Sequence, residues 1–191
     1  MTLQRPHRLA GAGPAAADSE IMGRLASGES GALGELYDRY HEPVRRFLAR
    51  ATSDAEDVDD LVHATFLAAG SSAARYDGRP CARPWLIGIA VRHLRRRLQA
   101  RGRLVAALDA LGLMRGTSTR DPQSDLNARG DVERALRLIS APKRVALLMA
   151  EVEEMSCPEI AAVLRIPIGT VWTRLHAARR ELRQTLCRGD E

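Results

Sequence analysis

The side chains best able to do chemistry lie near the C-terminus. Trp172, Thr173, Arg174, His176, Arg179, Arg180 and Arg183 share one side of a stretch whose other side is apolar. Val171, Leu175, Ala178 and Leu182 recur there at spacings of four, three and four, which makes an amphipathic helix with the polar set on its outer face. Guanidinium, imidazole and hydroxyl groups on such a face are the donors that read base edges and phosphates in a DNA major groove. The segment before it completes a helix-turn-helix. Ser156 with Glu159 three residues on is a capping-box pattern, and Pro158 suits a first helical turn. Ile160, Ala161, Val163 and Leu164 supply an apolar face. Pro167 cannot continue that helix, so a break is expected near Arg165, Ile166 and Pro167, with Gly169 and Thr170 opening the second helix.

Two other stretches carry concentrated charge of opposite sign. Residues 53–60 (SDAEDVDD) are strongly acidic, whereas residues 79–103 hold eight arginines and no acid. Opposed blocks of this kind point to two different partners. The whole chain has a formal net charge of +5, with arginine supplying every positive charge except Lys143. That balance suits a polyanionic partner, but its distribution says more than its total.

The elements that must position these groups are helices. Apolar residues make up 45% of the 191 and aromatics only 4%, a helix-favouring composition with no sustained strand-like alternation and no internal repeat. Residues 1–18 lack periodicity and read as a disordered tail. Helical pattern starts near Asp18 with Ile21, Met22 and Leu25, and is punctuated at Gly28–Gly31. A longer stripe follows through Leu33, Leu36, Tyr37, Tyr40, Val44, Phe47 and Leu48, with Pro43 inside it and a kink or register adjustment expected there. Ser53 or Asp54 is placed to cap a third helix bearing Val58, Leu61, Val62, Thr65, Phe66 and Ala69. A turn-rich loop at 76–84 leads into a Trp85-headed helix with Leu86, Ile89, Ala90, Leu94 and Leu98 inward and Arg92, Arg95, Arg96 and Arg97 outward. Trp85 itself is expected in the core. Residues 101–130 read as a possible short helix, 104–113, and an irregular tract. The expected architecture is therefore all-α: a first helical domain at 19–103, a flexible linker at 104–130 and a helix-turn-helix domain at 131–187.

The same inventory excludes other functions. Cys81, Cys157 and Cys187 are odd in number and widely separated, which speaks against a disulfide framework or a zinc site. No nucleophile–base pair, glycine-rich phosphate loop or metal spacing is present, so no catalytic, cofactor or metal residue is assigned and no small-molecule substrate is expected. The longest apolar run, WLIGIAV, is far short of a membrane span, and no signal peptide is visible, so a cytoplasmic protein without membrane insertion is expected.

Taken in order, these features resemble bacterial sigma factors. DVDDLVHATFLAA at 57–69 is similar to their acid-rich region-two helix, and RPWLIGIAVRHLRRRL at 83–98 to the helix that follows it. The stretch 138–182, ending EIAAVLRIPIGTVWTRLHAARREL, is similar to their C-terminal region. Two domains without further regions match the extracytoplasmic-function (ECF) type. The resemblance implies core RNA polymerase and promoter DNA as partners, and an anti-sigma protein as regulator. It implies that Asp57, Asp60, Leu61, His63 and Phe66 dock on polymerase. Tyr76, Arg79, Arg83, Arg92, Arg95 and Arg96 would serve the −10 element, and Thr170, Trp172, Thr173, Arg174, His176, Arg179 and Arg180 the −35 element. His63, Ala64, Arg92 and Trp172 depart from the residues usual in the family. Trp172 cannot make the bidentate contact to guanine open to an arginine, but it can press on a thymine methyl. The alternative is a stand-alone dimeric helix-turn-helix regulator that never touches polymerase. It needs a dimerisation surface, and no heptad stripe supplies one.

Overall fold

A computed structural model describes residues 15–52, 54–110 and 129–188, and among these every regular element is helical. The N-terminal half is α1 (Ala15–Ala26), α2 (Ser30–Ala51), α3 (Asp57–Ser72), a single 3₁₀ turn (Ala73–Arg75) and α4 (Arg83–Ala110). The C-terminal half is α5 (Arg129–Leu138), α6 (Ala141–Glu151), α7 (Cys157–Leu164) and α8 (Ile168–Arg188). The two-domain, all-α architecture expected from the sequence is the one observed.

The stripes read from spacing become the core. Leu36, Val44, Phe47 and Leu48 of α2 pack with Val58, Leu61, Val62 and Phe66 of α3 and with Leu86, Ile89, Ala90 and Leu94 of α4. α1 folds back on α2 through Gly28, whose φ of 89° is left-handed backbone that glycine adopts without strain. Across that turn Arg24 reaches both Glu29 and Glu35. α2 runs through Pro43 without ending.

Three boundaries differ from expectation. α1 begins at Ala15, so the last residues of the expected tail are helical, and Asp18 is buried at 0% exposure. Residues 1–14 lie outside the described residues, as do Ser53, most of the expected linker (111–128) and the last three residues. Asp54 does not cap α3: its Oδ1 accepts from the Glu56 N–H two residues on, and the helix starts at Asp57. α4 does not stop at residue 103 but continues to Ala110, where a linker and a separate short helix were expected. Arg101, just before this extension, bridges back to Asp54 at 2.7 Å and Asp57 at 3.0 Å.

The C-terminal half follows its sequence signals closely. The Ser156 hydroxyl accepts from the Glu159 N–H while the Glu159 carboxylate accepts from the Ser156 N–H at 2.9 Å, the complete reciprocal box. Bonds from the Ser156 hydroxyl and backbone hold the Glu159 carboxyl below its usual range. A depressed folded value means stability present above about pH 4.5 and lost as pH falls through the folded value. Ser156→Ala is expected to cost ~1 kcal/mol in chemical denaturation at neutral pH. The cost should shrink below that window, because the box partner is then protonated in both proteins.

Candidate nucleic-acid interface

α8 is set by its first turn. The Thr170 and Val171 N–H groups donate to Pro167 C=O at 2.9 and 3.3 Å, so the proline that ends one helix supplies the first acceptor of the next. Arg165 between them is left-handed (φ 53°), which turns the chain sharply enough to cross the helices. Val171, Leu175 and Ala178 are buried against α6 and α7, and the opposite face is left open. Trp172 is 60% exposed, Thr173, His176, Arg179 and Arg180 are exposed, and Thr170 and Arg174 are half-buried. The Thr173 hydroxyl donates to Gly169 C=O at 2.9 Å, which leaves its lone pairs to accept from a base amino group. Arg179 is held by Glu151 at 2.7 Å, farther along the helix from its N-terminus.

The second cluster forms around α4. Tyr76 and Trp85 meet edge to face with ring centroids 5.4 Å apart, and both are half-buried. The Tyr76 hydroxyl donates to Arg79 C=O, and burial pushes it up to about 12. It therefore stays a proton donor at neutral pH. Arg79 is paired with Asp77 at 2.6 Å. Arg92 and Arg96 are exposed on α4, whereas Arg83 and Arg95 reach across to the C-terminal half. Arg83 contacts Glu153 at 2.7 Å, and Arg95 donates to the Leu164 carbonyl at the end of α7. α7 thus lies over part of the arginine face that the sequence left solvent-exposed.

The third cluster is α3. Of the residues expected at its surface, Asp60 and His63 are exposed, while Leu61 and Phe66 lie in the core and Asp57 is 3% exposed. Asp57 is covered by α4: Arg97 donates to its Oδ1 at 2.6 and 3.0 Å, and Arg101 lies 3.0 Å from Oδ2. The exposed face instead adds Asp59 and Leu67, the latter 70% exposed. Asp60, His63 and Leu67 are three and four residues apart and make one stripe. Leu67 was missed because it sits off the apolar pattern, yet that misfit was the signal.

Among the described residues no group of three His, Cys, Asp or Glu is placed to hold a metal, and no helix is long and apolar enough to cross a membrane. A helix-turn-helix coupled to a second helical unit with one arginine-rich and one acidic surface defines a DNA-binding protein with a separate protein-docking face. Relatives in sequence and structure narrow that class. Residues 36–104 match Sigma-70 region 2 and residues 129–182 match Sigma-70, region 4. The RNA polymerase sigma factor CarQ of Myxococcus xanthus is 30% identical over 165 residues, 86% of this chain and 95% of that one. The RNA polymerase sigma-H factor of Pseudomonas aeruginosa is 27% identical over 180 residues, covering 88% and 93%. Among solved structures, CnrH in complex with the cytosolic domain of CnrY superposes with a TM-score of 0.57 at 26% identity, over 92% of this chain and 99% of that one. RpoE in complex with the anti-sigma factor NepR, from Bartonella quintana, shares the fold, with a TM-score of 0.64 at 23% identity over 80% and 95%. The chain belongs to the sigma-70 family and is an RNA polymerase sigma factor of the ECF type.

Proposed function

We propose that α8 reads the −35 element through Thr170, Trp172, Thr173, Arg174 and His176, with Arg179 and Arg180 on the DNA backbone. Tyr76, Arg79, Arg83, Arg92, Arg95 and Arg96 serve the −10 element, and Asp60, His63 and Leu67 dock on core polymerase. The observation that carries this reading is the open outer face of α8, where Trp172 stands exposed among donors that no packing requires. The protein's own role is recognition and strand opening, without catalysis, in the cytoplasm. Its regulator is an anti-sigma protein, the kind of partner with which RpoE, which shares the fold, was solved.

Run-off transcription with core polymerase on a promoter library, with and without the protein, tests the reading. The expected result is new start sites sharing −35 and −10 elements. Failure to co-elute with core enzyme, together with twofold binding to inverted repeats, would favour the stand-alone regulator instead. Arg174→Ala should cost ~1–3 kcal/mol at a single position of the −35 element. Uniform weakening across all sequences would make Arg174 a phosphate contact.

A further inference from the structure

A cavity of about 550 Å³ opens between the last turns of α2, the start of α3 and α5. Arg45, Arg46 and Arg50 of α2 and Arg137 of α5 line it, with Glu133 as the one acid among the lining residues. Val58 and Leu136, both buried, close it on the side of the core. None of these arginines belongs to the surfaces assigned above to DNA or polymerase.

Four guanidiniums in one cavity cost the fold stability rather than supplying it. Arg46 and Arg50 are four apart on one helix, a like-charge spacing that weakens it. Arg137 also lies close to Arg144, which is buried in α6. Burial, then Arg137, pulls the Arg144 guanidinium below its ordinary value. The acids nearest in sequence are engaged elsewhere, Asp54 and Asp57 pairing with Arg97 and Arg101 of α4. Arg45 reaches Asp59 at 3.3 Å and Arg46 reaches Glu42 at 3.8 Å, exposed pairs weak enough for a stronger anion to replace. Arg50 and Arg137 have no carboxylate partner among the described residues.

Guanidiniums converging on one cavity suit the bidentate recognition of phosphate. The volume falls within the roughly 300–1,000 Å³ of small-ligand pockets. No lining residue is aromatic, so a base finds no ring to stack on and the phosphates must carry recognition. A DNA duplex could touch only the rim of a cleft walled by helices on two sides. We propose that this cleft binds a small polyphosphate anion of nucleoside triphosphate size, gripping its phosphates and ignoring its base. Both α2 and α5 contribute, so a change on either helix weakens the same binding event.

Calorimetric titration of the full chain with sodium tripolyphosphate, adenosine triphosphate and adenosine tests this. The two phosphate compounds should bind at one site with similar affinity, and adenosine should not bind. Arg50→Ala and Arg137→Ala should each weaken tripolyphosphate about tenfold, the loss of one charge-assisted contact. Glu133→Gln removes the one acid and should tighten binding about threefold. Arg75→Ala takes the same charge from the exposed 3₁₀ turn and should change nothing. Equal weakening by Arg75→Ala would reveal diffuse attraction to a basic protein and overturn the site, as would no binding at all. The Arg50 and Arg137 double variant should resist urea at least as well as the parent, because it relieves like-charge crowding. A lower midpoint would make these arginines structural and sink the proposal. Random-sequence duplex DNA separates the remaining source of phosphate. Duplex affinity unchanged in the double variant supports a small-anion site, whereas a parallel tenfold loss would make the cleft a DNA-backbone contact instead.

Discussion

Asp18→Ala is expected to destabilise the protein by about 3–5 kcal/mol, the cost of removing one member of a buried, hydrogen-bonded charge cluster. The Asp18 carboxylate is wholly buried, and it accepts from Arg39 Nη1 at 2.7 Å, from the Tyr40 hydroxyl and from the Ala82 N–H at 2.8 Å. Arg39 is partly exposed and can return to water. The Tyr40 hydroxyl and the Ala82 N–H cannot, because both residues are buried, and each would be left without its carboxylate acceptor. Tyr40 remains a donor throughout, since burial and the bond to Asp18 push its hydroxyl far above its ordinary value. The knot ties α1 to α2 and to the residue just before α4, so it also fixes where the 76–82 loop delivers its side chains. Urea unfolding of the full chain would show a lower midpoint at unchanged slope. Asp18→Asn keeps one acceptor and should cost less. A loss under ~0.5 kcal/mol, the range of ordinary surface substitutions, would mean that Asp18 is not tied down.

That residue shows where sequence reading stops. Its partners lie 21, 22 and 64 positions away, and no local pattern marks an aspartate as the acceptor for a distant backbone N–H. A segment without periodicity thus reads as a tail up to the residue that closes the first core. Local rules succeed where the determinant is local. The capping box at Ser156 and Glu159, the break at Pro167 and the buried positions of α2 and α8 follow from spacings of three and four. The end of α4 was not legible because its apolar stripe fades after Leu98; Arg97 and Arg101 hold the helix to Asp54 and Asp57 through ion pairs with residues about 40 to 47 positions away. The outward arginines were legible as a basic face. That α7 would lie on part of it was not, because the contact joins residues about 70 apart.

The acidic helix gives the second large effect, and burial decides which residue to change. Asp60→Arg with Leu67→Ala should reduce transcription with core polymerase at least ~30-fold, the loss expected when a docking surface loses an apolar hot-spot anchor and a complementary charge. Both side chains are exposed, so the fold and the DNA affinity of the full chain should survive. Asp57→Arg makes the informative contrast. It places a third guanidinium beside Arg97 and Arg101 in a site that is 3% exposed, so transcription should fall together with resistance to urea. A variant that loses activity only by unfolding says nothing about docking, which is why both must be measured for activity, stability and co-elution with core enzyme. If the Asp60 and Leu67 double variant still co-elutes and transcribes, the polymerase contact lies elsewhere than on the exposed stripe of α3. If it folds, binds DNA and fails only with polymerase, the acids of residues 53–60 divide by burial: Asp57 holds α4 in place, and Asp60 faces the partner.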